Sequence, residues 1–243
     1  MAPTDQRAAS SRRDPRGSQI FGHGFALPDA QVGLVDSFLA PEEAASFFHE
    51  LLAGIRWRQD TIKMWGKVHD VPRLQQWFAD DGMAYTWSGI RMEPEPWIAP
   101  LERLRARLHE ALGLRFNTAL ANLYRDGNDT VGWHADDEPE LGEAPVIASV
   151  SLGATRDFVL RHRTRPELVQ SISLAHGSLL VMEGETQMHW RHCVPRRKRV
   201  STPRINLTFR HVTPSAMADV RSKPRVLRYE STRRGPDRAS ART

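Results

Sequence analysis

The chain has one cysteine, no long apolar run and no apolar leader, and each shortage excludes something. Cys193 alone cannot close an intramolecular disulfide, and a single free thiol suits a reducing compartment. No stretch approaches the roughly 20 apolar residues that cross a bilayer as a helix, so no membrane partner is expected. The opening Met-Ala-Pro-Thr-Asp-Gln-Arg holds no apolar signal core, and export is not expected. No internal repeat is visible, which sets aside solenoids and propellers.

What remains is an ordinary globular composition. Hydrophobic residues make up 40% and charged residues 26% of 243, enough for one packed domain with decorated ends. The net charge of +5 sits in the tails. Residues 1–20 carry four arginines against two acids, and residues 211–243 carry eight bases against three acids. Of 34 bases and 29 acids, 22 and 24 are left for residues 21–210, a middle at −2. Basic tails fit loose attraction to a nucleic acid, and equally a solubilising role.

Residues 1–20, rich in Ser, Arg, Pro and Gly, read as a disordered tail, and residues 213–243 as a second, basic one. Between them, 21–117 holds helical support and short strands. Residues 31–38 alternate as a strand, and 41–54 form a helix with Pro41 near its start and Phe47, Phe48, Leu51 and Leu52 as its apolar stripe. Residues 55–97 read as short strands and turns carrying Trp57, Trp65, Trp77, Phe78, Tyr85, Trp87 and Trp97. A second helix is expected over 94–113, with Leu101, Leu104, Leu108 and Leu112 on one face. After Phe116 strands dominate, at 118–124, 146–152, 157–162, 169–174, 178–183 and 205–212. Their spacing of about ten residues predicts a β barrel or sandwich, so the class is α+β, mainly β.

The chemistry-bearing residues are spread along this frame. His134-x-Asp136 puts an imidazole and a carboxylate on one face of an extended segment, two corners of a metal site that needs a third ligand. His189 and His192 follow in H-W-R-H-C-V-P, and odd spacing in a strand admits only one of them. In Arg204-Ile-Asn-Leu-Thr-Phe-Arg210, alternation places Arg204, Asn206, Thr208 and Arg210 on one strand face, about 20 Å from end to end at ~3.3 Å per residue. Such a row either clasps an anion or faces water. Asn122-x-Tyr124 sets two more polar groups on one strand face. Met64-Trp65-Gly66 makes an apolar pair at what reads as a hairpin tip, exposed unless something covers it.

In that order, N-x-Y, H-x-D, a distal His and R-x-N-x-x-x-R resemble the AlkB family of Fe(II)- and 2-oxoglutarate-dependent dioxygenases. The likeness runs over about residues 55–211. Through S-V-S-L-G-A-T-R-D-F-V-L-R-H, L-A-H-G-S-L-L-V-M and P-R-I-N-L-T-F-R it is similar to the branch that repairs double-stranded DNA. The resemblance implies a double-stranded β-helix (jelly roll) over 118–212, with 21–117 supplying helices and a nucleotide-recognition lid. It implies Fe(II) on His134, Asp136 and His192. It further implies 2-oxoglutarate with its distal carboxylate on Arg204, Asn122 and Tyr124, its other carboxylate on Arg210, and Asn206 assisting.

For substrate, the resemblance makes Met64, Trp65 and Gly66 a finger that fills the gap left by a flipped base, with Trp65 where the branch has Phe. Tyr85 and Trp87 would line and stack on the base, Trp87 again replacing Phe, and Glu138 would meet the base edge, with Asp137 as a rival. Arg73, Lys67 and the run Arg196-Arg197-Lys198-Arg199 are candidate phosphate contacts. The implied activity is oxidative demethylation of 1-methyladenine and 3-methylcytosine in double- or single-stranded alkylated DNA, using O2 and releasing formaldehyde, succinate and CO2. A monomer is expected, in the cytoplasm with the nucleoid in a bacterium or the nucleus in a eukaryote. Two alternatives stand beside it: an RNA or protein demethylase of the same chemistry, and a non-catalytic nucleic-acid-binding module.

Overall fold

The computed structural model describes residues 22–213 apart from 65, 66, 82, 84, 88, 89 and 93, and describes 63, 64, 85–87 and 90–92 by their backbone alone. The chain runs β1 (His23–Gly24), β2 (Gln31–Val35), α1 (Pro41–Gly54), β3 (Thr61–Met64), β4 (Lys67–Asp70), β5 (Leu74–Ala79), β6 (Tyr85–Trp87), β7 (Ile90–Met92) and α2 (Ala99–Leu112). It continues with β8 (Thr118–Tyr124), β9 (Val131–His134), β10 (Ile147–Gly153), β11 (Arg156–His162), β12 (Val169–Leu174), β13 (Ser178–Glu183), α3 (Thr186–His189), β14 (Trp190–Val194) and β15 (Arg204–Arg210).

Two sheets make the body: seven strands in the order β1-β2-β13-β10-β15-β8-β5 and four in the order β12-β11-β14-β9. Every pairing within them is antiparallel. Period-two alternation decides what each face of the large sheet meets. Ala119, Ala121 and Leu123 of β8 and Ile205, Leu207 and Phe209 of β15 join Leu51, Leu101, Leu104 and Leu108 in a core under the helices. Tyr124, Leu180 and Met182 turn the other way and pack with Phe158, Leu160 and Ile172 of the small sheet. This is the jelly roll expected, with helices covering one face and a cleft between the sheets on the other.

Two local differences have physical causes. The second helix begins at Ala99 and not at residue 94, because Glu95 N–H donates to Trp77 O at 2.9 Å and the segment runs beside Phe78 as an extended bridge. Pro96 forces the same result, since the residue before a proline avoids the helical region. The strand expected over 31–38 stops at Val35 as β2, where the chain turns toward α1. The arginines of α2 tie it to α1 and to the residue that follows β5. Arg103, Arg105 and Arg107 pair with Glu50, Asp80 and Glu43 while lying over the rings of Phe47, Trp97 and Phe38. Among the described residues, no helix is long and apolar enough to cross a membrane.

Candidate active site

His134 closes β9 and His192 lies directly opposite it on β14, so the ladder itself brings the two imidazoles together. Their ring centroids are 4.2 Å apart, and Phe158 stacks on His192 at 4.9 Å. Asp136, one turn of extended chain past His134, completes a set whose ligand atoms all lie within 4.8 Å of one another. His134 Nδ1 faces the Gly132 carbonyl at 2.8 Å, while its Nε2 faces Asp136 Oδ1 at 3.7 Å. A ring held by one nitrogen and presented by the other is how proteins orient a metal-binding histidine.

The electrostatics keep this trio ready for a cation. Burial, aided by the neighbouring His134 and opposed by Asp136, pushes the His192 imidazole down to about 3, so it is neutral at ordinary pH. Burial lowers His134 as well. Burial would raise the Asp136 carboxyl, but the charge and hydrogen bonds of the Arg210 guanidinium outweigh it and hold the group ionised, below the usual carboxylate range. Two neutral imidazoles and a carboxylate, convergent and with only His134 partly exposed, fit a divalent iron with positions left over.

The wall beside the metal ligands is built by β8 and β15. Register pairs Arg204 with Tyr124, Asn206 with Asn122 and Arg210 with Thr118, and all face the cleft. Arg204 is 1% exposed, which removes the reading of this row as a solvated strand face. Its Nη2 donates to Ser151 Oγ at 2.8 Å and its guanidinium lies over the Tyr124 ring at 5.2 Å. Its Nε and Nη1 are buried without a hydrogen-bond partner. A buried guanidinium with two idle donors is the cradle of an anion. Asn206 Nδ2 donates to Ser149 Oγ at 2.8 Å. Arg210, at the other end of the strand, donates to Asp136.

Other expectations meet the structure differently. Arg73, read as a phosphate contact, is 4% exposed and donates from Nε to Asn122 Oδ1 at 2.6 Å. It enters the cleft because β5 pairs with β8, Gln75 opposite Asn122, and a side chain so buried does not reach a phosphate. Asp137 is engaged by Arg163 at 2.7 Å, whereas Glu138 is half-buried at the start of the short turn Pro139–Leu141. Lys67 and residues 196–199 are exposed, with Arg196 on Asn128 and Arg197 on Asp157. The β3–β4 hairpin forms, Met64 pairing with Lys67, but Trp65 and Gly66 lie outside the described residues. Tyr85 and Trp87 pair with Met92 and Ile90 as β6 and β7, and their side chains lie outside the description too.

His189 separates cleanly from His192. It ends α3 and joins Asp29 and His162 in a second group of possible ligands. That group already holds a cation, since Arg165 donates to Asp29 and sits 3.0 Å from His162 Nε2. The backbone N–H groups of Thr164 and Arg165 both point at His162 Nδ1 and the Arg165 guanidinium faces Nε2, so both ring nitrogens are already occupied.

Five contributors escaped the sequence reading. Ser149 and Ser151 hold Asn206 and Arg204, and their inward alternation in S-V-S-L was the available signal. Arg156 clamps the carbonyls of Asp126, Asp129 and Pro195 beneath Tyr124. Gln187 accepts the Asp136 N–H at 3.0 Å across 51 residues, a separation that leaves no local pattern. Gly127 shapes the same floor: a Cβ there would lie 1.7 Å from the Arg197 carbonyl oxygen, so only glycine lets the turn after β8 approach residues 195–200.

Comparison with known proteins adds the following. Residues 31–210 match the 2OG-Fe(II) oxygenase superfamily. The chain is 45% identical over 183 residues to the mouse protein named DNA oxidative demethylase ALKBH2, covering 71% of this chain and 77% of that one. It is 43% identical over 194 residues to the bovine alpha-ketoglutarate-dependent dioxygenase alkB homolog 3, covering 76% and 67%. The solved structure of OsALKBH1 superposes with a TM-score of 0.54 at 16% identity, over 77% of this chain and all of the other, a likeness of fold.

Proposed function

This chain belongs to the 2OG-Fe(II) oxygenase superfamily, and we propose that it is an oxidative demethylase of N-alkylated bases in DNA. The observation that carries the reading is one cleft wall with a triad of metal ligands at one end and an anion cradle at the other. His134, Asp136 and His192 lie there with Arg210 on Asp136, and Arg204 waits six residues along β15 with two idle donors. Relatives named DNA oxidative demethylase, at 45% identity, point that chemistry at DNA.

With O2, bound Fe(II) and 2-oxoglutarate supply an oxidation that hydroxylates an N-methyl group and yields succinate and CO2. His134, Asp136 and His192 hold the metal. Arg204, with Tyr124 and Asn122, holds the distal carboxylate of the keto acid, and Asn206 braces this end through Ser149. Arg210 meets the nearer carboxylate while keeping Asp136 aimed. Arg73, through Asn122, supports the cofactor end. The N-hydroxymethyl base then releases formaldehyde as its C–N bond breaks, the electron pair returning to the ring nitrogen and the hydroxyl proton leaving.

A methylated Watson–Crick edge is hidden in the stack, so the base must be turned out. The β3–β4 hairpin supports a role in that step, since β4 is exposed along its length and Val68 is 67% exposed. Met64, Trp65 and Gly66 would fill the vacated space, Tyr85 and Trp87 would hold the base, and Glu138 would meet its edge. The test is methyl loss by mass spectrometry from matched 1-methyladenine and 3-methylcytosine substrates in duplex DNA, single-stranded DNA and RNA. Turnover on DNA supports the proposal. Turnover confined to RNA hands the site to the RNA alternative.

A further inference from the structure

The chain places three acids in succession, Asp136, Asp137 and Glu138, and only the first lies among the metal ligands. Strand pairing does not make that choice, because β9 and its ladder with β14 end at His134. Past that point the backbone needs another anchor. It is found on α3, a four-residue helix packed against β13 and β14.

Gln187, 3% exposed, accepts the backbone N–H of Asp136 at its Oε1, 3.0 Å away. Its Nε2 donates to Met182 Sδ at 3.4 Å, so the amide cannot turn over without setting two donors face to face. The helix carrying it is itself fastened. Thr186 Oγ1 accepts the Gln31 N–H at 2.9 Å, and the Arg163 N–H donates to His189 O at 2.8 Å. Arg163 also donates from Nη2 both to Gln187 O at 3.0 Å and to Asp137 Oδ2 at 2.7 Å.

The geometry points to Gln187 as a positioning residue for the iron ligand Asp136, acting through the peptide and sorting the adjacent acids. Consecutive side chains of an extended segment leave on opposite sides. With the Asp136 N–H fixed on Gln187, the Asp136 carboxylate faces the two histidines and the Asp137 carboxylate faces Arg163. A rotation of that one peptide would withdraw Asp136 and offer Asp137 in its place. A buried, otherwise unpaired N–H also makes the acceptor costly to lose.

The inference rests on the iron-site reading but not on the DNA substrate, and it is tested without turnover. The metal-free full chain is titrated with Co(II). Gln187→Leu, which removes the acceptor at similar size, weakens Co(II) binding by roughly tenfold or more, the usual cost of losing an outer partner of a ligand. Gln187→Glu keeps an oxygen at the same reach for the Asp136 N–H and retains most of the affinity. Should the Leu form not fold, Gln187→Asn, one methylene too short for the N–H, gives the same reading. An unchanged Co(II) affinity in Gln187→Leu or Gln187→Asn overturns the inference, as does a Glu variant as weak as Leu, since packing alone would then explain the effect. A thermal midpoint that falls while Co(II) affinity stands assigns Gln187 to the fold only. A parent that binds no Co(II) breaks the metal-site reading itself, and a parent that binds Co(II) but demethylates nothing breaks only the substrate reading.

Discussion

Arg210 donates from Nη2 at 2.6 Å and from Nε at 3.1 Å to a single oxygen of Asp136, Oδ2. The other oxygen, Oδ1, is left 3.7 Å from His134 Nε2. One carboxylate is thereby divided between a guanidinium and the metal position. Replacing Arg210 with Met frees Oδ2 to rotate and removes the positive partner. Co(II) and 2-oxoglutarate should each bind roughly tenfold more weakly, by titration of the purified variant. Unaltered binding of both would remove Arg210 from the site.

Arg204 carries a cost that a bound anion relieves. Burial drags its guanidinium down to about 10, a substantial fall for arginine. Arg204→Met should lose roughly ten- to a hundredfold in 2-oxoglutarate affinity, the range of a hydrogen bond to a charged group. Without 2-oxoglutarate the same variant should unfold at a temperature no lower than the parent, because an apolar side chain replaces an unneutralised buried charge. A variant that melts earlier yet binds 2-oxoglutarate normally would make Arg204 a structural residue.

Cys193, the lone cysteine, is 2% exposed. Burial pushes its thiol up to about 12, against the pull of Arg161 and Arg197. A raised thiol pKa leaves almost no thiolate at pH 8, and thiolate is the reactive form. Iodoacetamide at pH 8 should therefore leave the native protein unlabelled and label it fully in denaturant, by intact mass. Rapid labelling of the native form would place the thiol elsewhere.

Hairpin β3–β4 should matter to duplexes and little to single strands. Met64→Ala with Trp65→Ala is expected to lower repair of duplex DNA by roughly tenfold or more, since filling the gap offsets the cost of unstacking. Repair of the same lesion in a single strand should stay near the parent rate. Equal losses on both substrates would assign the hairpin a general binding role.

Much of this arrangement was legible residue by residue, and the exceptions share a cause. Alternation in T-A-L-A-N-L-Y and R-I-N-L-T-F-R assigns each face correctly, because a strand's period is local. The segments at 118–124, 169–174 and 178–183 fall where alternation and turn residues put them. Arg73 could not be judged this way, since only the β5–β8 pairing reveals that it points at Asn122. Gln187 and Arg163 are equally silent in sequence, because each acts on the His134–Asp137 loop from more than 20 residues away. Partners in space also set apart the two rivals: Asp137, the alternative to Glu138, is engaged by Arg163, and His189, the alternative to His192, turns to Asp29 and His162.

The most direct test of the account is formaldehyde release from duplex DNA carrying 1-methyladenine, with Fe(II), 2-oxoglutarate and O2, in the parent and in His192→Ala. The account predicts formaldehyde and succinate in equal amounts and restored adenine from the parent, with none from the variant. Metal-loaded parent that consumes 2-oxoglutarate yet leaves every methylated base intact would contradict it.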